Sequence, residues 1–267
     1  MTIQLEKFLI ICLLNLSIIV LSCGENLYNL ANNYTAREQF EIGKRHFADK
    51  DYNGAKIIFD RLSRYNIISD FTDSAQYLLA ESHFNMHDYI LAQSEYNRMV
   101  TNLPPGNPLY KTAMYKKAEC YYKLSPGSSL DQAYTYGAIK AYNDFIEAYP
   151  MDTELTPLAR QRFIELRDKL AKKDLQAGIL YMKQSDFESA QIYFEYVLQN
   201  FQDTPSASKA LFYRGETFIK SRDFEKARDA FNNYLQYFPD SEFAAKSRER
   251  LAEIEVEVAR IDTTSFR

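Results

Sequence analysis

Histidine and cysteine are the residues of this chain whose side chains most readily ligate metals or act as nucleophiles, and the 267-residue sequence contains three of each. The histidines are His46, His83 and His87. His83 and His87 are four residues apart, but no Glu-x-x-His motif and no cysteine cluster accompanies them. His46 and His83 also fall at matching positions of a repeat described below, where a packed ring is expected. The histidines therefore predict no metal site.

Other signatures of catalysis are missing from the sequence. There is no Gly-x-Ser-x-Gly elbow and no glycine-rich phosphate loop, and most acidic residues fall at helix caps or on polar helix faces. The sequence predicts a protein that is not an enzyme and that needs no cofactor. A hydrolase accessory domain is the alternative from the enzyme class, and the missing nucleophile argues against it.

Cys23 stands at the end of an apolar N-terminal segment. Residues 8–21 are interrupted only by Asn15 and Ser17, and this run is shorter than the about 20 apolar residues that span a membrane. The following Val-Leu-Ser-Cys-Gly resembles a bacterial lipobox. The resemblance implies a signal peptide over 1–22, lipidation of Cys23 by acyl chains such as palmitate, and a lipidated tether over 23–33. An ordinary signal or anchor helix with an incidental cysteine is the alternative.

Composition indicates an all-α chain with a large core. Lys plus Arg is 32 and Asp plus Glu is 36, so the net charge of −4 gives no footprint for nucleic acid. Hydrophobic residues make up 46% and aromatic residues 15%, whereas only 8 residues are Gly, which is few for the tight turns of an α/β enzyme. Cys120 lies in an apolar helical pattern and is expected to be a buried, inert thiol.

A repeat is visible in the spacing of small, acidic and aromatic residues. Two small residues lie twelve apart, Asp lies four residues before the second, and an aromatic lies four residues after it. The small pairs are Gly43 and Ala55, Ala80 and Ala92, Gly178 and Ala190, and Gly215 and Ala227; the Asp residues are Asp51, Asp88, Asp186 and Asp223; the aromatics are Phe59, Tyr96, Phe194 and Phe231. A further copy has Ala118 and Ala138 twenty apart, with the extra residues in the turn-forming stretch 124–129.

Each mark of the repeat has a mechanical reason. Small residues let two antiparallel helices approach closely, so Gly or Ala should face Ala, and Asp should cap the second helix. The later aromatic should fill the gap to the next helix pair. This is the pattern of the tetratricopeptide repeat. A plain helical bundle is the alternative, and it would not fix the spacing and the Asp together.

The spacing therefore predicts an all-α superhelical solenoid of five helix–turn–helix repeats. The repeats are expected over 34–68, 72–105, 109–150, 155–204 and 206–239. One long helix, or two nearly continuous ones, is expected between 157 and 183, and a C-terminal capping helix over 241–261.

First helices of such repeats line the inner face, and residues seven apart share a side of a helix. On the first three repeats these positions form an aromatic stripe of Phe40, Phe47, Tyr77, Phe84, Tyr115 and Tyr122, and on the last two they are Leu175, Met182, Phe212 and Ile219. We expect the aromatic stripe to hold a peptide, with Lys44 and Arg37 near a terminal carboxylate. The alternative is that these rings are simply core. Cations along residues 160–173 could face acidic partners or lipid head groups, although a solvated face with paired charges is favoured.

The whole arrangement resembles the BamD family, lipoprotein subunits of the outer-membrane β-barrel assembly machinery. The resemblance rests on Ala-Tyr-Asn-Asp-Phe-Ile-Glu-Ala-Tyr-Pro at 141–150, on the charged helix at 159–171, and on the turns at 200–204 and 238–241. It covers essentially all of the chain after the tether.

The resemblance implies a scaffold lipid-anchored at the periplasmic face of the outer membrane. In that family, C-terminal repeats bind a POTRA domain of BamA, the barrel-forming subunit, and N-terminal repeats receive the C-terminal signal of unfolded outer-membrane proteins. It thus implies a substrate side at 34–150, a scaffold side at 151–267, and possible contacts with other lipoproteins. We expect partner contacts at Tyr193, Phe212 and Lys220; Tyr193 stands where the family often has a pairing Arg. The rival is a tetratricopeptide lipoprotein that serves cell-wall or division machinery.

Overall fold

The computed structural model describes residues 34–65 and 70–265. The predicted signal peptide 1–22, the lipidation site Cys23 and the tether 23–33 lie outside this part of the chain. The described residues contain eleven helices and no strand. They are α1 (Ala36–Ala48), α2 (Tyr52–Tyr65), α3 (Thr72–Asn85), α4 (Tyr89–Asn102), α5 (Pro108–Leu124), α6 (Ala133–Ala148), α7 (Leu155–Lys183), α8 (Phe187–Asn200), α9 (Pro205–Lys220), α10 (Phe224–Tyr237) and α11 (Ala244–Ser265).

This order confirms the predicted all-α repeat architecture. Ten helices form five sequential pairs, α7 is the long helix expected between repeats three and four, and α11 follows the last pair. The irregular third repeat has its extra residues between the end of α5 at Leu124 and the start of α6 at Ala133, as predicted. No helix within 34–65 and 70–265 is long and apolar enough to cross a membrane.

Packing divides the chain into two compact units, and the boundary in sequence falls within α5, between Cys120 and Tyr121. In the N-terminal unit α1 packs on α2, α2 on α3, and α3 on α4. In the C-terminal unit each helix from α6 to α11 packs on the next, and α7 also packs on α9. The functional division predicted at residue 150 stays a prediction.

Glycine in the first helix makes room for the aromatic of the second. A Cβ on Gly43 would lie 2.7 Å from Phe59 Cε1, and one on Gly178 would lie 2.6 Å from the same atom of Phe194. Gly215 is related to Phe231 in the same way. In these three pairs the atoms nearest to the glycine therefore belong to an aromatic ring of the second helix. Such packing leaves no space for even one methyl group.

Tight turns join the helices of four pairs. The residue before each repeat Asp has positive φ although it is not glycine: Lys50, His87, Ser185 and Arg222 lie at φ 61–64°. Around Lys50, the Asp51 N–H donates to the His46 carbonyl (2.9 Å) and the Lys50 N–H donates to the Phe47 carbonyl (3.1 Å). These bonds satisfy the last carbonyls of the first helix.

The predicted Asp caps form in three of these four turns. Asp51 accepts from the Gly54 N–H (3.0 Å), Asp186 from the Ser189 N–H, and Asp223 from the Lys226 N–H. Asp88 makes no cap bond with its side chain, so the prediction is wrong there.

Candidate functional site

The aromatic stripe begins at a ring that is almost wholly buried. Phe40 is 8% exposed, stacks on Phe71 at 5.0 Å between ring centroids, and meets Phe59 edge-on. Lys44 lies over the Phe40 ring at 5.3 Å and also pairs with Glu41 at 2.8 Å. Phe40 is thus core, and Lys44 marks where its ring comes closest to solvent.

Two further rings of the stripe occupy matching places at the ends of first helices. Phe47 meets Tyr52, and Phe84 meets Tyr89, each edge-on at 5.3 Å. Both stripe rings are half-buried, and Lys116 lies 4.8 Å from the Phe84 ring centroid. Each ring therefore keeps one side that a peptide could cover.

Glu81 organises the middle of the stripe in the N-terminal unit. The Tyr96 hydroxyl donates to Glu81, Lys116 pairs with it at 2.8 Å, and the half-buried ring of Tyr77 lies 6.1 Å from that of Tyr96. Burial, followed by the Glu81 charge, raises the pKa of both tyrosines, so they remain protonated. Glu81 was not among the predicted site residues, although its place four residues after Tyr77 in a first helix could have suggested it.

The last two stripe residues lie in different units. Tyr115, in the N-terminal unit, is half-buried and donates to Glu119 at 3.3 Å. Tyr122, in the C-terminal unit, donates to Glu165 at 3.0 Å, and the Arg162 guanidinium lies 4.3 Å from its ring centroid. Five of the six predicted rings thus belong to the N-terminal unit.

The expected partner-contact residues differ in accessibility. Lys220 is exposed, and Tyr193 is half-buried and stacked on Tyr181 at 5.4 Å. Phe212 is 1% exposed, with Phe243 stacked on it at 4.4 Å. Phe212 therefore offers no surface to a partner, because the chain leading into α11 covers its ring. The prediction at Tyr193 and Lys220 stays a prediction.

Cations of the long helix α7 mostly reach fixed partners. Arg167 donates to both oxygens of Asp203 (3.0 and 2.8 Å) and to the Asn200 carbonyl, and this bonding lowers the pKa of Asp203. Lys169 donates to Ser125 Oγ at 2.7 Å, and burial lowers its pKa. The sequence favoured a solvated face for this part of α7. Instead, Lys169 bonds to the loop of repeat three and Arg167 bonds to the turn before α9.

Histidine and cysteine take structural places. His46 Nδ1 lies 2.7 Å from Asp51 Oδ2, while His83 is 9% exposed and burial lowers its pKa. Cys120 is fully buried, which raises the pKa of its thiol to about 12. Residues 34–65 and 70–265 hold no group of three or more potential metal ligands.

Comparison with known proteins places this geometry in a family. A family model described as outer membrane lipoprotein, YfiO, matches residues 32–221, and a tetratricopeptide repeat model matches residues 209–241. The outer membrane protein assembly factor BamD of Caulobacter vibrioides is 35% identical over 111 residues, which are 42% of this chain and 36% of that protein. BamD of Rickettsia prowazekii is 31% identical over 114 residues, 43% of this chain and 45% of that protein.

The matched segments thus span less than half the length of either relative. Among solved structures, the TPR2AB domain of yeast Sti1 in its pHSP90 complex aligns at 14% identity with a TM-score of 0.47, covering 85% of this chain and 86% of that one.

Proposed function

Because the chain belongs to the YfiO family of outer membrane lipoproteins, we propose that it is an assembly factor for outer-membrane proteins and acts by binding rather than catalysis. The family match over residues 32–221 carries this proposal. Two relatives that are named as outer membrane protein assembly factors support it. In this proposal Cys23 carries the lipid anchor, and the repeats face the periplasm.

The partner proposed for the C-terminal unit is the POTRA region of a BamA-type barrel protein. Affinity purification of the lipidated chain from detergent-solubilised outer membranes should recover such a barrel protein. Lys220→Glu should weaken the recovery, because it reverses an exposed charge at the end of α9. Lys140→Glu, which reverses an exposed charge on α6, is the matched control. Recovery of cell-wall or division enzymes without a barrel protein would favour the rival scaffold.

The client proposed for the N-terminal unit is the C-terminal segment of an unfolded outer-membrane protein. Half-buried rings at Phe47, Tyr77, Phe84 and Tyr115 would take up its aromatic side chains, and the exposed cations Arg37 and Lys44 would meet its carboxylate. Phe40 is buried, so it would stabilise this surface by packing and would not contact the client itself.

A substitution pair separates binding from packing at this surface. Phe84→Leu removes a stripe ring, whereas Tyr89→Leu removes the ring that meets it edge-on from α4. We expect Phe84→Leu to weaken binding of a client C-terminal peptide several-fold more than Tyr89→Leu does, while both lower the unfolding midpoint similarly. Equal losses of affinity per folded molecule would assign the stripe to the core.

A further inference from the structure

Three lysines recur at a regular interval on three alternate helices of the C-terminal unit. Lys172 on α7, Lys209 on α9 and Lys246 on α11 are each 37 residues apart. Lys172 and Lys209 lie six residues before Gly178 and Gly215, so they occupy equivalent positions of repeats four and five. These three residues are called the lysine ladder. The corresponding residues of the first three repeats are Arg37, Ser74 and Thr112, so the ladder is particular to the C-terminal unit.

The three helices that carry the ladder are neighbours. α7 packs directly on α9. α9 and α11 are joined by Arg250 Nε to Glu216 Oε1 at 2.6 Å, and Lys246 Nζ lies 5.4 Å from the Phe212 ring centroid. Helices in contact lie about 8–10 Å apart, so we take Lys172 and Lys209 to be separated by roughly that distance, with Lys246 beside Phe212 of α9.

The ladder side chains are accessible and weakly engaged. Lys172 is 59% exposed and pairs with Asp168, which already accepts from the Ser206 N–H at 2.9 Å. Lys209 is 43% exposed and pairs with the exposed Glu242 at 3.0 Å. The Lys209–Glu242 pair is exposed on both sides and contributes little, so a ligand carboxylate can replace Glu242. Asp168 is only 10% exposed and keeps its Ser206 N–H bond, so Lys172 would contact a ligand while remaining paired.

The other anions between α9 and α11 are already neutralised. Arg250 binds Glu216 at 2.6 Å and Glu253 at 2.7 Å. Within residues 34–65 and 70–265, Lys246 forms no ion pair with a carboxylate, and it rests against Phe212. One intramolecular carboxylate offsets Lys172 and another offsets Lys209, whereas none offsets Lys246. An acidic ligand that displaces Glu242 would therefore complement the charges of Lys209 and Lys246.

We propose that the lysine ladder binds an acidic, extended segment of a partner protein. A strand-like chain advances about 3.3 Å per residue, so a carboxylate at roughly every third residue matches the row of lysines. A row of single charges along three helices fits a linear ligand that also carries its charges in a row. The surface lies outside the aromatic stripe, so its peptide test does not depend on the assembly function proposed above.

The test uses three synthetic peptides and the full chain without its signal peptide. One peptide has glutamate at every third position of a Ser/Gly background, the second has the same glutamates consecutively, and the third has glutamine in their place. Affinities are measured by fluorescence anisotropy at low ionic strength, where exposed charges are least screened. We expect the spaced peptide to bind best and its binding to weaken with added salt.

Two triple variants locate the binding. Lys172→Gln, Lys209→Gln and Lys246→Gln together should weaken binding of the spaced peptide about tenfold, because each exposed pair contributes a few-fold. The matched control changes Lys140, Lys173 and Lys226 to Gln, which removes the same charge from exposed lysines outside the ladder and should alter affinity less than about twofold. Circular dichroism and the unfolding midpoint show that both variants are folded.

Three outcomes would overturn the proposal. Equal loss of affinity in both triple variants would show that only the net charge of the protein matters. Equal affinity for the spaced and consecutive peptides would show that the spacing of the lysines does not matter. Binding to phosphatidylglycerol vesicles that depends on the ladder, without binding of any peptide, would assign the lysines to lipid head groups instead.

Discussion

At the scale of single residues, a phenyl ring that lies on a glycine restricts both positions. The Phe194 ring comes so close to α7 that a Cβ on Gly178 would lie 2.6–3.1 Å from three of its atoms. Phe194 is fully buried and also stacks on Tyr213 of α9, at 6.3 Å. The ring cannot retreat without disturbing the next repeat, so glycine is required by packing rather than by backbone conformation.

Gly178→Ala should therefore destabilise the protein although alanine is the better helix former. Overpacking of a dense core costs about 1–3 kcal/mol, more than the gain of about 1 kcal/mol in helix propensity. Urea unfolding followed by circular dichroism measures the change. Gly127→Ala is the control, because nothing lies within 4 Å of a Cβ there, and it should stay within about 0.5 kcal/mol of wild type. A neutral or stabilising Gly178→Ala would contradict the packing argument.

Buried His83 gives the stability a pH dependence of known sign. Its pKa is lowered by burial and by Lys56, against opposing contributions from Asp60 and Asp88. The unfolded chain therefore binds a proton at His83 more readily than the folded chain does. The histidine's contribution is complete above its unfolded pKa of about 6.5 and is lost as the pH falls toward the lower, folded value.

We expect His83→Gln to reduce the pH dependence of the free energy of unfolding, because glutamine does not titrate. The free energy of unfolding of wild type, taken relative to that of His83→Gln, should fall between neutral pH and about pH 5. Urea titrations at several pH values measure the difference, which also cancels titrations shared by both proteins. A difference that is constant or rises on acidification would show that His83 is not held neutral by the fold.

At the scale of elements, the turns inside the repeats combine two features that stop one helix and start the next. A residue with positive φ ends the first helix, and Asp begins the second. Lys50 and Asp51 do this between α1 and α2, while His87 and Asp88 do it between α3 and α4. Only the first of these two Asp side chains bonds to the following backbone, at the Gly54 N–H.

These two turns allow a matched test of capping. Asp51→Ala should cost about 1 kcal/mol, and Asp88→Ala should cost clearly less, since it removes no cap bond. The Gly54 N–H lowers the pKa of Asp51, so its contribution is present above the ordinary aspartate pKa and is lost as the pH falls through the folded value. The gap between wild type and Asp51→Ala should close in acid. Equal costs for both variants would show that residue type, not the cap bond, sets the preference.

The sequence was sufficient to predict the elements because each repeat mark has a local cause. Glycine, Asp and the aromatic act within one helix pair, so their spacing predicts α7 through α10 without knowledge of the rest. Burial was less predictable. Phe212 was expected at a surface, yet the ring of Phe243 covers it, and only the placement of α11 decides that. Glu81 was missed for the same reason, because Tyr96 and Lys116 reach it from other helices.

At the scale of the whole molecule, the chain is two stacks of helices in which contacts are mainly between neighbours in sequence. In the C-terminal unit, α8 packs on α7 and α9, and α10 packs on α9 and α11. The long-range pattern could be predicted from the repeat, because each pair can bury its apolar face only against the next pair. The division between the units within α5 could not, since no break in the residue pattern marks it.

Packing that is mainly between nearby helices has a mechanical consequence for the C-terminal unit. When its ends are pulled apart, one interface can open without breaking those further along, so helix pairs should detach in turn. In an optical trap with handles at Lys123 and Arg260, the force–extension trace should show several small unfolding steps. A globular domain held by contacts between distant parts of its chain would instead unfold in one large step. A protein built in this way yields gradually under tension.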